Sequence, residues 1–165
     1  MNKSSSSRHK VEEELRLYEA AMMLVEECRM VLPGIQALFG FQLIAVFNST
    51  FSEKLSPLEQ RLHLLSIALI GIAIVIIMTP AAYHRQTDPE DITQQFINLS
   101  TRLLLLSTVP LALSICIDVY LISRLILQDV LGSLLLTLLL LIVFILLWFI
   151  LPHSEALKQV FGDRP

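Results

Sequence analysis

One carboxylate stands inside a long apolar run of this sequence. Asp118 is the only charged residue among residues 103–123. Charged side chains cost free energy in hydrocarbon, so those that persist there mark either a functional site or a contact between helices. The basic residues that could neutralise this carboxylate are Arg61, His63 and Arg124. Asp118 and these three basic residues indicate either a site for a proton or a cation, or an ion pair that joins two helices.

The depth of Asp118 in its apolar run favours the ion pair. The residue lies five positions from the end of the run, which is about 7.5 Å at a rise of 1.5 Å per residue. A side chain at that depth reaches water by extending toward the interface. We expect Arg61 to be its partner, and an ion site is the alternative.

A second polar group lies toward the opposite ends of the same apolar runs. It consists of Arg29, Gln36, Thr79, Tyr83, His84, Arg85, Asn98 and Arg102. Basic and aromatic residues at this depth commonly anchor helices at a membrane interface. The alternative is a basic and aromatic pocket that binds lipid headgroups or a small anion. Gln36 and Gly40 are four residues apart, so they share a helix face that permits close packing and an interhelical hydrogen bond.

Sequence motifs of enzymes are missing from the chain. It contains no P-loop and no dinucleotide fingerprint, and neither GxSxG nor HExxH. Its four histidines are scattered, without a further metal ligand at helical spacing. We therefore predict that the protein is not an enzyme and holds no metal or cofactor. The net charge of -3 offers no basic surface for phosphates, which argues against a nucleic-acid partner.

The elements that position these residues are four apolar stretches. Residues 30–52, 64–82 and 130–151 contain no charged residue, and residues 103–123 contain Asp118 alone. A helix needs about 20 apolar residues to cross a hydrocarbon core of roughly 30 Å. The composition agrees, with 55% hydrophobic residues and a mean hydropathy of +0.69. We predict an all-α membrane protein, a four-transmembrane-helix bundle with spans at about residues 30–48, 62–82, 101–123 and 130–151.

Polar segments flank the predicted spans. Residues 1–10 are Ser-rich and predicted to be disordered, and residues 152–165 form a predicted cytoplasmic tail. Residues 11–29 carry an apolar stripe at spacings of three and four, formed by Val11, Leu15, Tyr18, Met22 and Val25. The stripe predicts an N-terminal amphipathic helix at the interface or against the bundle, with a short coiled coil as the alternative. Pro33 and Gly34 predict a kink or a break near the start of the first span.

The starts of two later helices have recognisable caps. Ser56, Pro57 and Glu59 form a capping box with proline at the first helical position. Residues 87–91 repeat this pattern, which predicts that the third apolar helix begins there. The connection formed by residues 124–129 is short, so the helices on either side of it are predicted to be antiparallel neighbours.

The basic residues predict the orientation of the chain. Nine of the 12 Lys and Arg residues lie in the two terminal segments and the middle connection, and three lie in the other two connections. An excess of basic residues marks the cytoplasmic side of a membrane protein. Both termini are therefore predicted to be cytoplasmic.

Four segments resemble those of a known family. They are residues 29–48 (RMVLPGIQALFGFQLIAVFN), 55–60 (LSPLEQ), 78–85 (MTPAAYHR) and 118–120 (DVY). In these segments the chain resembles a family of small bacterial membrane proteins of unknown function. The resemblance implies four spans in the bacterial cytoplasmic (inner) membrane, and some members of that family are labelled sodium:proton antiporters. The residues that match its motifs, without an assigned role, are Gln36, Phe39, Gly40, Phe41, Pro80, Tyr83, His84 and Arg85.

Two functions follow as hypotheses. The first is a non-enzymatic, multi-pass membrane protein with a structural, partner-binding or lipid-contacting role. It would act as a homo-oligomer or with another membrane protein, and would bind anionic lipid at the second polar group. The alternative is a small oligomeric ion or proton transporter that uses Asp118 or the Gln36 face. A transporter needs ionisable groups near the middle of the membrane, and Asp118 is shallow, so the first hypothesis is favoured.

Overall fold

The computed structural model describes residues 2–87 and 93–151, with the side chains of residues 11–86 and 93–151 apart from Glu14 and Thr50. The predicted tail at residues 152–165 and most of the predicted helix start at residues 87–91 lie outside this range. The described helices are α1 (Asn2–Val46), α2 (Ser49–Lys54), α3 (Pro57–Thr87), α4 (Gln94–Leu127) and α5 (Val130–Ile145), and a π-helical segment (Leu146–Ile150) follows α5.

Four of these helices are long and apolar enough to cross a membrane. The qualifying segments are Val11–Val46, Pro57–Gln86, Gln94–Leu127 and Val130–Ile150, which contain 36, 30, 34 and 21 residues. Each exceeds the length of about 20 residues that a bilayer core requires. The predicted fold class, an all-α membrane protein with four spanning helices, is therefore confirmed.

Helix α1 is one continuous helix, whereas the sequence pattern suggested three segments: a disordered run, an amphipathic helix and the first span. It runs for 45 residues from Asn2 to Val46 and passes through Pro33 without a break. The predicted disordered run at residues 2–10 belongs to the same helix. Pro33 has no N–H to donate to the carbonyl of Arg29, which removes one helical hydrogen bond. Ending the helix inside hydrocarbon would leave several backbone groups without partners, so continuing through the proline costs less.

Side-chain caps fix where α3, α4 and α5 begin. The predicted capping box is present, because the Ser56 amide and hydroxyl both donate to Glu59 Oε2, at 2.8 and 2.7 Å. Thr93 accepts a hydrogen bond from the Phe96 amide at 3.2 Å, just before α4 begins at Gln94. Asp129 accepts from the Gly132 amide at 2.6 Å. Only Gln128 and Asp129 separate α4 from α5.

The residue that ends α4 adopts a conformation that suits glycine. Gln128 has a φ of 54°, in the left-handed region, and its amide donates to the Arg124 carbonyl at 3.1 Å. This geometry is a common helix C-cap, and a side chain there costs about 1 kcal/mol relative to glycine.

We therefore expect Gln128→Gly to raise the free energy of unfolding by about 0.5–1 kcal/mol. Gln128→Ala is the matched control, because alanine keeps the Cβ atom and should give no gain. The stability of both variants is measured by unfolding them in mixed micelles, with the loss of helical circular dichroism as the signal. Equal stability of the glycine and alanine variants would contradict the assignment of the C-cap.

Two compact units divide the chain. Among the described residues, the first unit comprises residues 2–44, 70–87 and 93–110, and the second comprises residues 45–69 and 111–151. Buried side chains in the first unit include Ile70, Ala73 and Ile77 of α3, and those in the second include Ser66 of α3 and Ser114 of α4. Over the described residues, eight of the buried side chains are polar, and the others are nine apolar side chains and two prolines, Pro80 and Pro110. Small polar residues are common where membrane helices pack closely, because they let the backbones approach and can form hydrogen bonds.

Helix α5 exposes most of its surface. Only 6% of its apolar segment is buried, and Ser133 is the one buried residue in α5. The hydroxyl of Ser133 donates to the Asp129 carbonyl of the same helix at 2.7 Å. An exposed leucine-rich face is stable in hydrocarbon and unstable in water, so the exposure of α5 is typical of a membrane-spanning helix.

Candidate functional site

A cavity in the first unit is a candidate binding site. Its volume is about 570 Å³, and helices α1, α3 and α4 form its walls. The lining residues of α1 extend from Tyr18 to Pro33, which is about 22 Å of helix axis at 1.5 Å per residue. The lining of α3 extends from Ile77 to Arg85, and Phe96, Ser100 and Leu104 complete the wall from α4.

The walls of this cavity are almost entirely apolar. On α1 they include Ala21, Met22, Leu24, Val25 and Leu32, and on α3 they include Met78, Pro80 and Ala81. Cavities of a few hundred Å³ with apolar walls and few polar groups are typical of sites for small apolar or amphiphilic molecules. The cavity therefore has the size and the surface chemistry to enclose part of a hydrocarbon chain.

Three basic residues line the same cavity. Arg29 of α1 and Arg85 of α3 are exposed, and His84 of α3 is half-buried. The His84 ring lies against the Phe96 ring, with centroids 5.1 Å apart. Guanidinium groups donate paired hydrogen bonds to phosphate and carboxylate, so the two arginines are suited to an anionic headgroup.

The structure separates the second polar group of the sequence into two sets. Arg29, His84 and Arg85 line the cavity, whereas Gln36, Thr79, Tyr83, Asn98 and Arg102 do not. Helical geometry explains the division on α3, because residues 77, 81 and 84 follow one face at spacings of four and three. Thr79 points elsewhere and donates to the Val75 carbonyl at 2.8 Å. Asn98 accepts from the Gln94 side chain at 3.1 Å.

Sequence reasoning found the α1 wall of the cavity without recognising what it would face. Tyr18, Met22 and Val25 belong to the predicted amphipathic stripe, and all three line the cavity. The contribution of α4 was missed. Its signal is the spacing of Phe96, Ser100 and Leu104, which lie four residues apart and therefore share one face.

A cluster of buried polar residues lies in the second unit. Ser66 Oγ of α3 is 2.8 Å from Asp118 Oδ1 of α4 and 2.7 Å from Ser114 Oγ. The Ser66 hydroxyl is also 3.1 Å from the Ser114 carbonyl oxygen, and the Ser114 hydroxyl donates to the Ser66 carbonyl at 2.9 Å. Both serines are 0% exposed. We call His63, Ser66, Ser114 and Asp118 the serine–aspartate cluster.

His63 joins this cluster at its more exposed side. Its Nδ1 atom is 3.8 Å from Asp118 Oδ1, and the two side chains are 9% and 16% exposed. The ring of Phe51, from α2, packs against the His63 ring with centroids 5.1 Å apart. The cluster is thus largely screened from the surroundings but not sealed.

The partner expected for Asp118 is wrong. Arg61 is exposed and forms no ion pair with Asp118. Arg61 and His63 are two residues apart on α3, so their side chains point in nearly opposite directions, about 200° apart around the helix axis. His63 occupies the inward position. Arg124 pairs instead with Glu59, with Nε and Oε1 3.4 Å apart. Of the predicted group, His63 and Asp118 are brought together. Ser66 and Ser114 were missed, although each lies one helical turn from one of them.

The four helices and the composition define an integral membrane protein. The sequence matches a protein family of unknown function, DUF6328, over residues 12–152, and the chain belongs to this family. No curated protein and no solved structure matches the chain. Among residues 2–87 and 93–151, no three His, Cys, Asp or Glu side chains group together as metal ligands would.

Proposed function

We propose that this protein is a non-enzymatic membrane protein that binds an anionic lipid in the cavity of its first unit. The apolar walls take up part of an acyl chain, and Arg29 and Arg85 bind the negatively charged headgroup. The observation that carries the proposal is that both arginines line a cavity of about 570 Å³ whose other walls are almost all apolar. This combination matches the two chemically distinct parts of a lipid.

The distribution of basic residues supports the same ligand. The nine basic residues of the terminal segments and the middle connection favour a cytoplasmic location for both termini. Such an orientation would direct Arg85, near the end of α3, toward the leaflet in which anionic lipids attract basic side chains. The ligand that we propose is therefore a phospholipid with a net negative headgroup, bound from the membrane itself.

The headgroup contact is tested by replacing both cavity arginines with glutamine. Each basic residue near an anionic lipid contributes about 1 kcal/mol, so the double variant Arg29→Gln/Arg85→Gln should bind anionic lipid about thirtyfold more weakly. The measurement is native mass spectrometry of protein reconstituted with defined mixtures of phosphatidylglycerol and phosphatidylcholine. Arg102→Gln is the matched control, because Arg102 is also exposed on a helix of the first unit but does not line the cavity.

The contact between the acyl chain and the cavity wall is tested with a pair of neighbouring alanines. Ala81 lines the cavity and Ala82 does not. Ala81→Phe should reduce the retention of every lipid, whatever its headgroup, because the ring occupies space that an acyl chain needs. Ala82→Phe should leave retention unchanged. Equal retention of both lipids by the wild-type protein, or equal losses in the Arg102 and cavity-arginine variants, would refute the proposal.

A further inference from the structure

We propose that the serine–aspartate cluster of the second unit is a binding site for one exchangeable proton. The proton binds to Asp118, and its arrival changes the direction of the hydrogen bonds between α3 and α4 without breaking them. This site is independent of the lipid cavity, which lies in the first unit.

The hydrogen-bonding capacity of Ser66 is the first step of the argument. Its hydroxyl lies within 3.1 Å of three acceptors, namely Asp118 Oδ1, Ser114 Oγ and the Ser114 carbonyl oxygen. A hydroxyl has one hydrogen to donate and two lone pairs with which to accept. Ser66 can therefore donate fully to the carboxylate or to Ser114, but not to both.

These two choices correspond to two protonation states of Asp118. When Asp118 is a carboxylate, the Ser114 hydroxyl donates to Ser66 Oγ, and Ser66 donates to Oδ1. When a proton from solvent binds at Oδ1, Asp118 donates to Ser66 Oγ, Ser66 donates to Ser114 Oγ, and the Ser114 hydrogen turns to the Ser66 carbonyl. One proton is gained, no other group loses one, and the heavy atoms keep their positions.

Both states satisfy every hydroxyl of the cluster. The Ser114 hydroxyl has an acceptor in each state, either Ser66 Oγ at 2.7 Å or the Ser66 carbonyl oxygen at 2.9 Å. Leaving a buried polar group without a partner is what usually makes such a change costly. The two serines, both 0% exposed, thus let α3 and α4 stay in contact while the carboxyl group gains or loses its proton.

His63 couples the site to its surroundings. Its Nδ1 atom is 3.8 Å from the same oxygen that Ser66 contacts, and both His63 and Asp118 retain some exposure. The imidazole therefore lies beside the oxygen that takes up the proton. The partial exposure gives the proton a route in and out of the cluster.

The other charged and titratable groups at this part of the second unit lie on each of its helices. They are Glu53 and Lys54 on α2, Glu59 and Arg61 on α3, Cys116, Tyr120 and Arg124 on α4, and Asp129 at the start of α5. Glu59 and Arg124 neutralise each other as an ion pair. Arg61 is exposed on a different face of α3 from His63. His63 is therefore the basic residue placed to act on Asp118.

Infrared difference spectroscopy of the full chain in lipid, recorded during acidification, tests the proposal. A carboxylic C=O band that disappears in Asp118→Asn identifies the proton on Asp118. In Ser66→Ala this band should move in frequency, because its hydrogen-bond partner is gone. The band that Asp129→Asn removes is the internal control, and it should be unaffected by Ser66→Ala.

A second pair of variants identifies the coupled base and does not depend on Ser66→Ala being able to fold. His63→Gln should move the pH midpoint of the Asp118 band, whereas Arg61→Gln should leave it in place. An Asp118 band that responds to neither Ser66→Ala nor His63→Gln would overturn the proposal and make the cluster a static contact between helices. A midpoint that follows Arg61→Gln instead would overturn it as well.

Discussion

Replacing Ser114 with leucine should lower the free energy of unfolding by about 3 kcal/mol. Overpacking costs about 1–3 kcal/mol, and each lost interhelical hydrogen bond costs about 0.6 kcal/mol. Ser114 is fully buried, and its hydroxyl and carbonyl both contact Ser66. A leucine side chain would force α3 and α4 apart at this point. The adjoining contact between Ser66 and Asp118 would be disturbed at the same time.

Two controls separate bulk from hydrogen bonding at this position. Ser114→Ala removes the hydroxyl without adding volume, so it should cost only about 1 kcal/mol. Thr101→Leu places a leucine at an exposed position of α4 and should change stability by no more than about 0.5 kcal/mol. Unfolding in mixed micelles measures all three. If Ser114→Leu were as stable as Thr101→Leu, the close approach of the two serines would be disproved.

Truncating Ile70 to alanine is the second large effect that we expect, with a loss of about 2–3 kcal/mol. Ile70 is 0% exposed, and a cavity at its position removes van der Waals contacts on all sides. Ile72, on the same helix, is 51% exposed. Lipid refills the space that a truncated Ile72 leaves, so Ile72→Ala should cost less than about 0.5 kcal/mol.

The comparison of Ile70 with Ile72 uses the same chemical change at two positions of one helix. It therefore isolates the effect of packing within the protein from that of contact with lipid. The unfolding measurement in mixed micelles applies here as well, with the helical content of each folded variant checked first. Similar losses for the two variants would mean that the inward face of α3 has been assigned incorrectly.

The sequence alone predicted the helices because their determinants are local. Four apolar stretches give the spanning helices, and the Ser56 and Glu59 capping box gives the start of α3, each from residues that are close along the chain. The path of α1 through Pro33 was not predictable in the same way. A proline removes one hydrogen bond wherever it stands, but whether the helix ends depends on what surrounds it.

The candidate sites depended on contacts between helices, and single-sequence patterns predict those less well. Asp118 was recognised as unusual from its surroundings in sequence, yet the choice between Arg61 and His63 depended on which face of α3 turns inward. The α1 stripe was found by its spacing, but spacing does not say whether a stripe faces lipid, a partner or a cavity. Only the placement of α3 and α4 beside α1 in the first unit decides that question.

The exposure of apolar side chains on the spanning helices has a thermal consequence. Soluble proteins lose stability in the cold because unfolding transfers apolar surface into water, which raises the heat capacity. In a bilayer, the apolar faces of α3, α4 and α5 contact acyl chains whether or not the helices are associated. Separation of the helices within the bilayer should therefore be accompanied by a small heat-capacity change, and the association should vary little between refrigerated and physiological temperatures.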